Sequence, residues 1–189
     1  MKIYTRKGDD GTTGLLYGGR VPKDSSAPRA YGSVDEAQAA IGVARAEVRS
    51  SPGESPGELA DILLALERDL WVLMAELATD PANADKLTDG QSRVTAEMVQ
   101  ALEALIDEVS ASFEPPTEFV VPGETRVAAL LDVARTVVRR AEREALAAAP
   151  PESQALPYLN RLSDLLWTLA RWQEGTSVAT RDVSSSPDH

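Results

Sequence analysis

The chain contains no cysteine and one histidine, His189, its last residue. These absences exclude disulfides, thiolate nucleophiles and sulfur-bound metals, and they leave the folded body without an imidazole for base catalysis or metal ligation. Aromatics make up only 5% of the 189 residues. Alanine and leucine supply the apolar content instead, which suits helices packed on helices. Positive charge is also scarce: 19 Lys and Arg stand against 30 Asp and Glu, a net charge of -11. Non-specific nucleic-acid binding needs a basic footprint that this chain lacks. No apolar run approaches a membrane span and no signal peptide opens the chain. The expectation is one soluble, cytoplasmic domain with neither nucleic acid nor membrane as partner.

Within this acidic chain, four arginines fall in the nine residues 135–143. At 100° per residue Arg135, Arg139 and Glu142 stack on one side of a helix. Val127, Leu130, Ala134, Val138 and Ala141 form the neighbouring apolar stripe. The guanidinium groups then flank the buried face, where helices meet, which suits a polyanion or carboxylates of the protein itself. A solvated charged face is the competing reading.

Periodicity predicts five helices. The first runs over residues 33–49, opened by the capping-box spacing of Ser33 and Glu36. The second covers 57–79, with Leu63, Leu66, Leu70, Leu73 and Leu77 inward, and follows a Pro/Gly linker over 51–57. The third covers 95–111, with Met98, Leu102, Leu105 and Val109 inward. The fourth is the arginine helix, 125–148. The last covers 153–175, with Leu159, Leu162, Leu166 and Leu169 inward. Residues 1–30 read as a long polar loop and 176–189 as a disordered tail. The fold class is therefore all-α, a five-helix bundle with a long N-terminal loop in one domain, 1–175.

Several groups of residues can carry chemistry. The loop holds Thr5, Arg6, Lys7, Gly8, Asp9, Asp10, Gly11, Thr12, Thr13 and Gly14, with Lys23 beyond. Glycines let backbone amides approach an anion, and hydroxyls and lysines add donors, as a triphosphate requires. A flexible polar N-terminus is the plainer reading. Asp35 and Glu36 read as helix-start charges, with Asp35 open to pairing with an arginine of another helix. Asn160, Asp164, Trp167 and Arg171 share one stripe of the last helix, a pattern of interhelical hydrogen bonds. Phe119, before the Pro122-Gly123 turn, is by default a core aromatic.

Taken in order, T-R-K-G-D-D-G-T-T-G, Y-G-S-V-D-E, F-V-V-P-G, A-R-T-V-V-R-R-A-E-R and Y-L-N-R-L-S-D-L-L resemble the PduO-type ATP:cob(I)alamin adenosyltransferases over residues 2–172. The resemblance implies a five-helix bundle, a homotrimer with active sites at subunit interfaces, and transfer of the 5′-deoxyadenosyl group of ATP to cob(I)alamin or a related corrinoid. By motif position it puts Thr5, Arg6, Lys7, Gly8, Thr13 and Lys23 in an ATP loop. It puts Arg139, Arg140, Glu142 and Arg143 on the phosphate-facing helix, and Asn160 in the nucleotide site. Asp35 and Arg135 match an intersubunit salt bridge on the corrinoid side. Phe119 matches the aromatic that excludes the lower axial ligand of cobalt. Mg²⁺ accompanies ATP, with no ligand from His or Cys. A reductase that supplies the electron and an adenosylcobalamin-dependent enzyme that receives the product are the further partners implied. A non-catalytic corrinoid and ATP carrier on the same bundle is the alternative. The chain departs from the pattern at Arg6, where lysine is usual, at Glu124, where a second glycine is common, and at Asp132, where histidine is common. Asp132 can reach Arg135 at i+3 and compete with Asp35 for it.

Overall fold

The computed structural model describes residues 3–50 and 57–181. Most of the 51–57 linker, the tail beyond residue 181 and His189 lie outside the described residues. In chain order the elements are β1 (Thr12–Gly14), β2 (Arg20–Pro22), α1 (Ser26–Ser50), α2 (Glu58–Leu77), a 3₁₀ turn at Pro81–Lys86, α3 (Ala96–Ser110), α4 (Arg126–Ala145) and α5 (Ala155–Glu174). The five-helix bundle is as expected.

Leucine spacing builds its centre. Leu63, Leu70 and Leu73 of α2 and Leu159, Leu162, Leu166 and Leu169 of α5 are fully buried. Each such side chain contributes about 1.5–3 kcal/mol relative to exposure. The α1 face against them is built of Ala30, Val34, Ala37, Ile41 and Ala44, all without exposure, and α4 answers with Ala128, Ala134, Ala141 and Ala145. Small residues on both sides let these two helices lie close along their lengths. A half-buried polar pair links α5 to α2: the Tyr158 hydroxyl donates to Asp69 at 2.8 Å. Burial raises the pKa of Asp69, and burial together with the Asp69 charge raises that of Tyr158 well above its ordinary value.

Cross-helix contacts set the directions. Glu36 meets Arg140 and Glu47 meets Arg126, so α1 and α4 are antiparallel. Asn160 meets Glu142 and Arg171 meets Asp132, so α4 and α5 are antiparallel as well. Glu76, 5% exposed, accepts from the backbone N–H of Val94 (2.7 Å) and from Ser153 (2.5 Å), tying the end of α2 to the approaches of α3 and α5. The starts of α1, α3 and α5 and the ends of α2 and α4 therefore share one end of the bundle.

Three expectations are corrected. The first helix begins at Ser26, seven residues before Ser33. Its apolar stripe already starts at Ala30, and Pro28 is tolerated because first-turn N–H groups have no intrahelical acceptor. Glu36 accordingly lies inside the helix, away from its N-terminus, and pairs with Arg140 instead of offsetting a helix dipole. The polar loop before the helix contains a hairpin, with Thr12 opposite Pro22, Thr13 opposite Val21 and Gly14 opposite Arg20. The segment after α5 is ordered as far as residue 181: the Val121 N–H donates to the Val178 carbonyl (2.9 Å) and the Thr180 N–H to that of Phe119 (2.8 Å). Gly175, at φ 69°, takes a positive-φ conformation that favours glycine and turns the chain out of the helix toward this pairing.

Candidate functional site

The hairpin sits at the end of the bundle where α1 starts and α2 finishes. The Leu16 N–H donates to the Ala78 carbonyl at 2.8 Å, docking the loop on the last turn of α2. Inside the loop, Asp10 accepts from both the N–H (2.9 Å) and the hydroxyl (2.7 Å) of Thr12. These bonds, the Thr12 hydroxyl first, lower the pKa of Asp10. Arg20 donates to the Thr12 hydroxyl (3.1 Å from Nε) and to the Lys7 carbonyl (2.5 Å). Neither Asp10 nor Arg20 is among the site residues expected from sequence. The available signal was the Tyr17-Gly18-Gly19 turn between two short extended runs. Their bonds hold the segment that carries the expected ligand donors.

Those donors are brought together. A Cβ on Gly8 would stand 3.1 Å from Lys23 Nζ and 3.2 Å from the Thr12 carbonyl. A side chain there would push the lysine end or the loop backbone aside by a few tenths of an ångström, so glycine lets the ammonium lie close over the loop. The Lys23 N–H donates to the Gly11 carbonyl at 2.9 Å, fixing where that side chain starts. Thr13 is in β1, beside this contact. Arg6 takes φ 61°, a left-handed conformation that costs a non-glycine residue about 1–2 kcal/mol. Its guanidinium stands 5.5 Å from the centre of the Tyr4 ring. The Thr5 hydroxyl accepts the Lys7 N–H at 3.4 Å.

The arginine helix presents two surfaces. Arg139 and Arg143 are exposed, and Arg143 donates to the Arg139 carbonyl at 2.9 Å. Arg140 is occupied by Glu36. Glu142 accepts from the Asn160 amide at 3.1 Å, and Asn160 in turn accepts from Arg161 at 2.6 Å. The expected residues Glu142 and Asn160 thus form one cross-helix unit. The loop and the arginines are not joined. No hydrogen bond or ion pair links residues 5–23 to Arg139 or Arg143 among the described residues, and Lys7, Lys23 and Arg139 form no ion pair there.

Toward the other end of the bundle, Arg135 donates to Asp132 at 2.9 Å, and Asp132 also accepts from the fully enclosed Arg171 at 2.5 Å. Asp35 is exposed on α1 and has no ion pair among the described residues. Phe119 is 90% exposed, which overturns its default reading as a core aromatic. It lines an open cavity of about 650 Å³ with Trp167, Glu118 and Thr180. Its backbone is held by Thr180, whose hydroxyl donates to the Phe119 carbonyl at 2.9 Å. A large aromatic presented to an open cavity on a tethered backbone is suited to meeting a flat apolar ligand.

A bundle with a cationic loop at one end and an aromatic-edged cavity at the other offers anion binding and apolar binding, but no thiol or imidazole nucleophile in its described body. The chain is similar to known proteins in both sequence and fold. The cobalamin adenosyltransferase family matches residues 3–173. A corrinoid adenosyltransferase of Citrobacter freundii is 43% identical over 178 residues, which cover 93% of this chain and 96% of that protein. One from Mycobacterium tuberculosis is 44% identical over 175 residues, 90% of this chain and 87% of that one. Among solved structures, a variant PduO-type ATP:corrinoid adenosyltransferase from Lactobacillus reuteri, complexed with cobalamin and ATP, aligns with a TM-score of 0.82 at 29% identity, covering 96% of this chain and 97% of that one. The chain belongs to the cobalamin adenosyltransferase family.

Proposed function

We propose that this chain transfers the 5′-deoxyadenosyl group of ATP to cob(I)alamin, giving adenosylcobalamin and triphosphate. The observation that carries the reading is a set of exposed cations, Lys7, Lys23 and Arg139, that form no ion pair among the described residues of a chain with a net charge of -11. With so many carboxylates available, cations left without an ion pair are suited to an anionic ligand.

The chemistry matches what the chain has and lacks. The cobalt(I) centre of the substrate brings its own electron pair and forms the bond to C5′. The C5′–oxygen bond breaks and its pair leaves on the triphosphate. No protein nucleophile is needed, so the enzyme positions the reactants and stabilises the departing charge. Lys23 over Gly8, with Thr5, Arg6, Lys7 and Thr13, faces one side of the triphosphate, and Arg139 and Arg143 the other. Arg140, Glu142 and Asn160 hold the helix edge that supports them. Mg²⁺ travels with ATP. No cluster of three acidic or histidine side chains stands ready for a metal among the described residues. A magnesium ion held mainly by phosphate oxygens and water fits such a site.

Phe119 takes the lower face of the corrin, where its ring displaces water and the axial base and so eases reduction of cobalt(II). The reading includes a homotrimer. Among the described residues no hydrogen bond or ion pair joins the loop to Arg139 or Arg143, and Asp35 has no ion pair, as expected of groups that a second subunit completes. Asp35 then meets Arg135 of a neighbouring subunit. A reductase upstream and an adenosylcobalamin-dependent enzyme downstream complete the sequence of reactions, and a cytoplasmic location fits them. No helix among the described residues is long and apolar enough to cross a membrane.

Anaerobic incubation with chemically reduced cobalamin and MgATP tests the proposal. The expected result is the light-sensitive adenosylcobalamin spectrum in proportion to enzyme turnover. Tight binding of both ligands without that product would leave a carrier in place of an enzyme. Sedimentation of the native protein tests the trimer, and a monomer that retains full activity would remove the interfacial site.

A further inference from the structure

Asp132 is 5% exposed, and each of its oxygens has its own cation. Oδ1 accepts from Arg135 Nε at 2.9 Å, and Oδ2 from Arg171 Nη2 at 2.5 Å. Arg171 is itself enclosed, with a side chain 1% exposed. The same Nη2 donates to Glu174 at 2.9 Å, the Trp167 ring lies 5.8 Å from the guanidinium carbon, and Glu174 accepts from Ser177 at 3.0 Å. The carboxylate of Asp132 is therefore held from behind by an enclosed cation that Glu174 pins from the other side. Arg135 meets it through Nε alone. Its two terminal nitrogens make no hydrogen bond or ion pair among the described residues, and its side chain is 26% exposed. A guanidinium has a rigid fork, so one fixed Nε contact sets the plane and direction of the terminal pair.

We propose that Asp132, braced by Arg171, is a positioning residue that aims Arg135 at its partner carboxylate across the subunit interface. The inference rests on the reading that Arg135 serves the corrinoid side. It also changes the role of the Asp132 departure. Asp132 does not compete with Asp35 for Arg135, because it takes Nε, the nitrogen that an end-on carboxylate pair on the two terminal nitrogens leaves unused. The negative charge at residue 132 fixes the arginine in one subunit, and the free face of that arginine is left for the next.

Kinetics of the full chain with reduced cobalamin and MgATP test this in two backgrounds. In the native chain, Asp132→Asn is expected to raise the corrinoid KM about tenfold, within the range of coupling between contacting residues, with the ATP KM unchanged. In an Arg135→Ala chain, the same substitution is expected to add nothing to the corrinoid KM. An equal increase in both backgrounds, or ATP and corrinoid constants moving together, overturns the proposal and makes Asp132 a structural residue. Should Asp132→Asn fail to fold, Asp132→Glu keeps the charge, displaces the carboxylate and carries the same comparison. An Arg135→Ala chain with a normal corrinoid KM overturns the corrinoid-side reading itself and this inference with it. A normal corrinoid KM for Asp132→Asn, with Arg135→Ala impaired, overturns this inference alone.

Discussion

The loop end and the far end of the bundle handle charge in opposite ways. At the loop end Lys7, Lys23 and Arg139 stand exposed without ion pairs among the described residues, the lysines on either side of a short hairpin and the arginine on a helix flank. At the far end Arg171 and Glu174 are sealed, and Asp132 joins them to Arg135. Exposed cations lose little by waiting in water, so a triphosphate can enter and leave at modest desolvation cost. Enclosed charges must be paired before any ligand arrives, and once paired they hold a geometry. The difference teaches that one end is built for exchange and the other for shape.

The sharpest break of that comparison is Arg171→Met. It removes the cation between two enclosed carboxylates and is expected to cost about 3–5 kcal/mol of stability, the usual result of stranding a buried charge. Urea unfolding measures it, and a loss no larger than that of a surface substitution would mean that water already reaches the cluster. Arg139→Ala is the counterpart at the loop end. Its side chain is exposed, so stability should stay within about 0.5 kcal/mol, while adenosyl transfer should lose about 2–5 kcal/mol of transition-state stabilisation. A folded Arg139→Ala protein with near-native turnover sinks the assignment of this arginine to the triphosphate.

Phe119→Ala sharpens the far end. With 90% of the residue exposed, little stability is at stake. Activity starting from cob(II)alamin should fall roughly tenfold or more, the effect of losing about 1.4 kcal/mol, while activity from pre-reduced cob(I)alamin changes much less. Spectroscopy of cob(II)alamin with the MgATP-bound enzyme checks the cause. An unchanged four-coordinate fraction in the variant rules out the role beneath the corrin.

The loop end was the harder half to read as structure and the easier half to read as chemistry. Gly8 and Lys23 lie side by side, yet the hairpin that unites them depends on Asp10 and Arg20, whose bonds to Thr12 and Lys7 a linear scan does not reveal. The far end was the reverse. The stripe of Asn160, Asp164, Trp167 and Arg171 announced interhelical bonding; Asn160 and Arg171 do reach α4, whereas Asp164 pairs with Arg161 of its own helix. Which α4 residue each one meets depends on the antiparallel register, which periodicity leaves open. Ser33 misled because its capping-box spacing is local, whereas the helix start is set by the stripe from Ala30 onward and by the bond from Arg29 N–H to the Ser25 carbonyl at 3.3 Å.

The smallest expected effects come from two neighbours on α1, and they divide the two ends most finely. Glu36 pairs within the chain to Arg140, both side chains largely in water at 59% and 43% exposure. Such a pair is worth about 0–1 kcal/mol, so Glu36→Gln should lower stability slightly and leave the corrinoid KM alone. Asp35, one residue earlier, has no ion pair among the described residues of its own chain, so Asp35→Asn should leave the stability of the single subunit unchanged. If it meets Arg135 of another subunit, it should raise the corrinoid KM more than the ATP KM. A double-mutant cycle with Arg135 should then show a coupling of about 0.5–3 kcal/mol, and the exchange Asp35→Arg with Arg135→Asp should recover part of the loss. That recovery will be incomplete, because an aspartate at residue 135 would face Asp132. Strict additivity in both ATP and corrinoid kinetics would reduce Asp35 to a solvated surface charge and leave Arg135 with Asp132 as its only partner.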